Sequence, residues 1–326
     1  MINFVTLAEM NKDVINSLYK IPHDIDIVVG VPRSGMLVAS IIAVQLNKPL
    51  LDLNEYLSGY EYTVGLSTNI KIKRDINKVL IVEDSVLYGT SINRAKNRIE
   101  QSVLSSLHEY IYYAAYVSEI TNSAQHVDVY ARVLDNRVFE WNLMHHDILQ
   151  RSCFDIDGVL CKDPTPEEND DGENYRNFMK NALPKYVPTK KIGWLVTSRL
   201  EKYRAETEEW LAKNHIEYDH LIMSQFKTAE ERRRLGSHPG YKAAIYSQLP
   251  EVELFVESER WQAIEIVKRT NKPVYCTENQ FFYTMSDFPK NKKIYTILRK
   301  IGLIFPKRIR KAGYSLLYLS KGTPLR

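Results

Sequence analysis

The sequence predicts an α/β protein built as two parallel-sheet domains, and three observations carry that prediction. At 326 residues the chain exceeds what one ordinary core serves and suits two units of about 150 residues. Short apolar runs (IDIVVGV at 25–31, KVLIVED at 78–84, IYYAAYV at 111–117, CFDID at 153–157, IGWLVTS at 192–198, ELFVES at 253–258) alternate with longer amphipathic stretches, the rhythm of strands joined by helices. One such run in each half ends in closely spaced acids. Hydrophobic residues at 44% with charged residues at 26% describe folded globular units and exclude a disordered or fibrous chain.

No Gly-, Pro- or Ser-rich linker lies between Val133 and Ser152, so the two units are expected to abut, with a boundary near residue 147. The predicted division is 1–147, 148–289 and a basic amphipathic tail at 290–326. The tail holds eleven Lys/Arg and no Asp or Glu, while the whole chain carries only +4, so the remaining body is net acidic. That distribution does not suggest a nucleic-acid-binding core, and no nucleic-acid partner is expected. Cys153, Cys161 and Cys276 form no CxxC or Cys/His cluster, which argues against a disulfide framework or a zinc site and for a reducing cytoplasm. The opening MINFVTLAEMNKDV lacks a basic n-region followed by a long apolar stretch, and no run reaches 18 apolar residues, so neither a secretion signal nor a spanning helix is expected.

The sharpest motif of the first half is VLIVEDSVLYGTSI at 79–92: an apolar strand, Glu83 and Asp84 at its carboxyl end, a short loop with Tyr88 and Gly89, then Thr90 and Ser91 opening a helix. A loop entering a helix N-terminus presents free N–H groups to a phosphate; Gly89 permits close approach and Thr90 and Ser91 add donors. The two acids can accept hydrogen bonds from sugar hydroxyls. Together these parts describe a pocket for a sugar 5-phosphate. The motif resembles that of the type I phosphoribosyltransferases, which bind 5-phosphoribosyl 1-pyrophosphate; Tyr88 stands where that family usually has a small hydroxyl residue. VVGVPRSGMLVA at 28–39, with Arg33, Ser34 and Gly35, resembles the family's pyrophosphate loop. Residues 58–74 stand where the family has a mobile hood loop, with Tyr60 and Lys71 as candidates to touch pyrophosphate. The resemblance implies displacement of pyrophosphate at ribose C1, with Mg²⁺ on the leaving group and an acceptor attacking from the opposite face to give a β-linkage. For a hydroxyl acceptor Asp84, Asp52 or Glu55 can serve as base.

In the second half FDIDGVL at 154–160 supplies two acids spaced by one residue after a strand. Asp155 can attack phosphorus, and Asp157 can protonate the leaving oxygen and then activate water. The pattern resembles the haloacid dehalogenase (HAD) superfamily of phosphatases. The resemblance implies a hydrogen-bond donor to the phosphate at Thr197 (runner-up Ser198), a cation at Lys242 (alternative Lys227) and Mg²⁺ held by Asp155, Asp157 and Glu257 or Glu259. Only about 35 residues, 161–195, separate the first two motifs, so this HAD-like Rossmannoid unit has no large cap. In that family an open site implies a bulky substrate or a neighbouring domain as lid.

The tail intersperses its cations with Ile, Leu, Phe and Tyr, a pattern that fits an anionic bilayer surface or a helix packed on the body. The two motifs have linked chemistry: the first installs a ribose still carrying its 5-phosphate, and the second removes that phosphate. The pair resembles phosphoribosyltransferase/HAD-phosphatase modules associated with ribofuranose in bacterial surface polysaccharides. The expectation is a bifunctional enzyme that ribosylates a lipid-linked glycan acceptor, cytoplasmic or peripheral at the inner membrane face. The alternatives are a nucleobase phosphoribosyltransferase fused to a nucleotidase and a regulator that senses phosphoribosyl pyrophosphate.

Overall fold

The computed structural model describes residues 2–59, 76–228, 230, 231 and 238–288. In the first half the strands are β1 (Asn3–Val5), β2 (Ile27–Gly30), β3 (Leu50–Asp52), β4 (Lys78–Ser85), β5 (Glu109–Val117), β6 (Val129–Val133) and β7 (Arg137–Phe139). The helices are α1 (Leu7–Ser17), α2 (Gly35–Leu46), α3 (Leu53–Leu57) and α4 (Thr90–Glu100). The second half adds β8 (Ser152–Phe154), β9 (Ile192–Leu200), β10 (Tyr218–Ser224), β11 (Leu254–Glu257), β12 (Val274–Cys276) and β13 (Phe281–Tyr283). Its helices are α5 (Glu173–Asn181), α6 (Arg204–Lys213), α7 (His238–Gln248) and α8 (Arg260–Thr270). Each apolar run named above forms a strand, although CFDID contributes only Cys153 and Phe154 to β8 and leaves Asp155 and Asp157 in the turn beyond.

A five-stranded sheet has the order β3-β2-β4-β5-β6, parallel throughout. Its central strands β2 and β4 are buried on both faces, which is why they read as continuous apolar runs rather than alternating ones. Val28, Leu80 and Val82 pack with Met10 and Val14 of α1 and Val38, Ala39 and Ile42 of α2. The intervening residues Ile27, Val29, Val79 and Ile81 pack on the opposite face with Leu53 of α3 and Ile92, Ala95 and Ile99 of α4.

A six-stranded sheet has the order β10-β9-β8-β11-β12-β13, parallel except for β13. Phe154, Leu195 and Val256 face α5 and α6, while Cys153, Val196 and Phe255 face α7 and α8. Both sheets reverse their winding direction beside a central strand. In the first, β3 lies on one side of β2 and β4 on the other; in the second, β9 and β11 flank β8. The crevice at the carboxyl ends of such strands is where open α/β sheets receive ligands. The motif acids stand at both crevices.

The chain's first strand does not join the five-stranded sheet. β1 pairs with β7, and Ile2 and Phe4 belong to the same apolar cluster as Phe154 and Leu195. Phe4 stacks on Phe282 at 4.8 Å with an interplanar angle of 2° and tilts against Tyr275. Offset aromatic contact of this kind adds to the area buried. Phe4→Ala should therefore destabilise the six-stranded unit, 130 or more residues away in sequence, by about 3–5 kcal/mol in urea unfolding; a change below ~1 kcal/mol would contradict this packing.

Candidate functional sites

At the first crevice β4 ends in Glu83 and Asp84, both buried. Gly35, at the first turn of α2, lies so close to β4 that a Cβ there would meet the Val82 carbonyl at 2.7 Å and the Glu83 Cα at 3.2 Å. The glycine thus lets helix and strand pack closely. The Glu83 carboxylate accepts hydrogen bonds from the Asp84 amide (3.1 Å) and from the Ser91 hydroxyl (2.6 Å) at the start of α4. Asp84 accepts one from the Trp141 indole (2.8 Å). Burial, and then the neighbouring charge of Asp84, push the Glu83 carboxyl up to about 8, so Glu83 carries a proton at neutral pH; adjacent buried acids cannot both ionise cheaply.

Gly89 caps α4 with a positive φ of 78°, and a Cβ there would collide with the His126 ring. Thr90 and Ser91 lie exposed in the first helical turn. Ser91 points its hydroxyl to Glu83, so it serves the acid pair in this arrangement. Tyr88 is 72% exposed at the loop's tip. Arg33, Ser34 and Gly35 follow β2 across the same crevice, and Arg33 donates to Asn142 at 3.4 Å. Asp52 and Glu55, named as possible bases, form a capping box on α3, Asp52 accepting from the amides of Asn54 and Glu55. Of the three candidates Asp84 is the one beside Glu83 in the crevice. Tyr60 and Lys71 lie outside the described residues.

At the second crevice the buried Lys242 ammonium of α7 reaches Asp155 (2.6 Å), Glu257 (2.7 Å) and the Gln262 side-chain oxygen (3.2 Å). Four residues, from the turn after β8, from α7, from β11 and from α8, therefore meet at one point. Burial pushes the Asp155 carboxyl up to about 7, with Lys242 opposing and Glu257 adding to the rise. Burial works against the Lys242 charge, but the two carboxylates outweigh it and hold the ammonium firmly protonated. Asp157 is gripped by the fully buried Arg199, whose Nη2 and Nε donate at 2.7 and 3.2 Å to one carboxylate oxygen. Burial opposes that charge too, yet Arg199 holds the Asp157 carboxyl below the usual carboxylate range. In this arrangement Asp157 is therefore ionised and ready to accept a proton; the proton-donor role predicted for it requires Arg199 to yield.

Thr197 is buried at the end of β9, its hydroxyl accepting from the Arg199 amide at 3.2 Å. Lys227 is exposed, away from this cluster, its amide donating to Glu231. Glu259 accepts from the Trp261 indole, whereas Glu257 faces Lys242 and takes the amides of Ser258 and Glu259 on its other oxygen. Glu257 is therefore the acid that shares a point with Asp155. Their hard carboxylate oxygens fit Mg²⁺, which is commonly held by one or two carboxylates with water and substrate phosphate completing the shell. Among the described residues no group of three or more His, Cys, Asp or Glu is arranged to hold a metal ion by itself, and the three cysteines are free and buried.

Several site residues were missed by the sequence reading. Arg199 directly follows the Thr-Ser pair of the second motif, a signal that was there to be read. Asp163, pushed up to about 6 by partial burial and by the charges of Asp157 and Glu259, and Lys185, which donates to the Gly158 carbonyl at 2.7 Å, belong to no motif. Trp141 and Asn142 lie 57 and 109 residues beyond the groups they touch. No described helix is long and apolar enough to cross a membrane, and the 290–326 tail lies outside the described residues.

No protein-family model and no curated protein matches the chain. Among solved structures it resembles a purine phosphoribosyltransferase from Pyrococcus horikoshii at 19% identity, over 43% of this chain and 92% of that one, with a TM-score of 0.30. It also resembles the Helicobacter pylori xanthine-guanine-hypoxanthine phosphoribosyltransferase (13% identity, 44% and 93% covered, TM-score 0.33) and the Aeropyrum pernix orotate phosphoribosyltransferase (18%, 42% and 73%, TM-score 0.25). These likenesses concern chain path over the covered part and say nothing of chemistry.

The raised Glu83 carboxyl has a consequence for stability. A folded-state value above the ordinary 4.5 means the native state holds a proton that the unfolded chain has lost, so Glu83 weakens folding as pH rises from about 4.5 to 8. Glu83→Gln should flatten that decline, gaining more than ~1 kcal/mol over wild type at pH 8 relative to pH 4.5 in urea titrations; parallel curves for the two proteins would rule it out.

Proposed function

We propose that the chain is a two-site enzyme: a phosphoribosyltransferase-like unit, approximately 1–147, transfers 5-phosphoribosyl from phosphoribosyl pyrophosphate to a glycan hydroxyl, and a HAD-like phosphatase unit, approximately 148–289, removes the 5-phosphate. The observation that carries the reading is that each sheet reverses its winding between the two strands or loops bearing its motif, β2 and β4 in one and β8 and β11 in the other. Each motif acid therefore stands at the carboxyl-end crevice of its own sheet.

In the first site the Gly89 turn and the start of α4 receive the 5-phosphate, Arg33 and the loop before Gly35 receive the pyrophosphate, and Glu83 and Asp84 bind the ribose hydroxyls. The bond from C1 to pyrophosphate breaks as the acceptor oxygen bonds C1, and the acceptor's proton passes to Asp84, which stands beside Glu83 in the crevice. In the second site an Asp155 oxygen bonds phosphorus while the bond to ribose O5 breaks and O5 takes a proton from Asp157, which holds that proton once Arg199 releases its carboxylate. Water then attacks the phosphoaspartate, giving its proton to Asp157, and inorganic phosphate leaves. Lys242 and Thr197 hold the phosphoryl oxygens as their charge changes. Mg²⁺, held by Asp155 and Glu257, with Asp157 beside them, would supply charge neutralisation of those oxygens.

A second reading is a nucleobase phosphoribosyltransferase joined to a nucleotidase. It needs an aromatic surface at the acceptor position, and Trp141 beside Asp84 favours it to that extent. Residues 290–326 remain proposed as a contact with an anionic membrane, which would keep a lipid-linked acceptor near both sites.

The test is product analysis by mass spectrometry after incubation with phosphoribosyl pyrophosphate, Mg²⁺ and panels of glycan and nucleobase acceptors. Asp155→Asn should accumulate a phosphopentosyl glycan that wild type converts to the pentosyl form, with phosphate release reduced at least ~10³-fold. Asp84→Asn should slow pyrophosphate release by about 10²-fold or more. A nucleotide product from wild type would move the enzyme to the second reading, and release of neither pyrophosphate nor phosphate would sink both.

A further inference from the structure

A cleft of about 640 Å³ opens beside the second site, between the chain that follows the Asp155 turn and helix α5. Asn174, Asn177 and Asn181 line it from α5, and their spacing of three and four residues sets them on one face of the helix. Phe178 and Leu183 supply apolar surface, Leu183 being 60% exposed. An amide side chain offers both donors and an acceptor, the pairing that a sugar hydroxyl reciprocates. The titratable lining is Asp163, Glu167 and Glu168 against the single cation Lys162, an acidic excess that disfavours a polyanionic ligand.

Side-chain contacts tie the wall of the cleft to the residues around the phosphatase centre. Phe178 stacks with Tyr175 at 6.0 Å and 13°, and the Tyr175 hydroxyl donates to Asp157 at 3.4 Å. Asp163 lines the cleft and also abuts the Gly158 turn, where a Cβ would meet its carboxylate at 2.5 Å. A substrate with its phosphate at Asp155 and Lys242 would thus lay its remaining bulk along α5. We infer that this cleft is a subsite for the neutral, polyhydroxylated part of the phosphatase substrate, with the α5 amide face reading its hydroxyls. The inference rests on the phosphatase reading for its place in the reaction, although the binding itself is testable alone.

The test uses the full chain and a neutral trisaccharide ending in β-ribofuranose, titrated calorimetrically. Wild type should bind it, and Asn177→Ala with Asn181→Ala should weaken binding about tenfold, the loss of one or two neutral hydrogen bonds. Hydrolysis of free ribose 5-phosphate, which is too small to reach α5, should be unchanged in the same variant. No binding to wild type, equal binding to the variant, or a parallel loss of ribose 5-phosphate hydrolysis would each overturn the subsite. If wild type fails to hydrolyse ribose 5-phosphate yet binds the trisaccharide through the asparagines, the phosphatase reading falls and the subsite stands.

Discussion

Everything at the two sites follows from the cost of placing carboxylates where strands end inside a protein. A lone buried charge is expensive, so it must be neutralised by a proton, paired, or closely hydrogen-bonded. The two crevices solve this differently. The first gives its acids a hydroxyl, an amide and an indole, with the half-buried Arg137 near Asp84 but, among the described residues, no ion pair, so Glu83 keeps a proton. The second inserts two buried cations, Lys242 between Asp155 and Glu257, and Arg199 on Asp157. An acid pair that keeps a proton is suited to neutral sugar hydroxyls, whereas carboxylates directly paired with fixed cations are suited to a phosphoryl group, whose charge those cations must meet.

The segment just before β8 touches both halves. Trp141 holds Asp84 and Asn142 meets Arg33, while the neighbouring Glu140 takes the Tyr275 hydroxyl at 2.7 Å and the Leu7 amide at 2.6 Å. Tyr275 lies on β12, one residue before Cys276, which pairs with Glu257. Three consecutive side chains therefore connect the acid pair of one site to the sheet carrying the acids of the other. Burial of Ile2 and Phe4 in the second core secures the same junction from the chain's opposite end.

Strand positions and motif acids were legible in the sequence because burial on both faces of a parallel sheet leaves an unbroken apolar run, and because a strand end facing a crevice leaves acids directly after it. Lys242 and Glu257 were legible by order alone. Arg199, Trp141 and Asp163 were not singled out, since what gives each its role is a partner supplied by the tertiary fold: Asp157 for Arg199, Asp84 for Trp141 and the Gly158 turn for Asp163. Asp52 and Glu55 show a local use that the sequence also carries. An acid followed three residues later by Glu is also a helix start, and that local role absorbs both carboxylates.

The stretch between the FDIDGVL and WLVTSR motifs is short, and the fold shows what it does instead of forming a large cap. It makes one short helix whose buried face, Tyr175, Phe178 and Met179, joins the main core, leaving its asparagine face to solvent. Lys185 then returns to clasp the Gly158 carbonyl and Tyr175 reaches Asp157. A segment anchored at both ends to the turn at 155–158 is held in one fixed position beside the buried acids rather than left to swing as a lid.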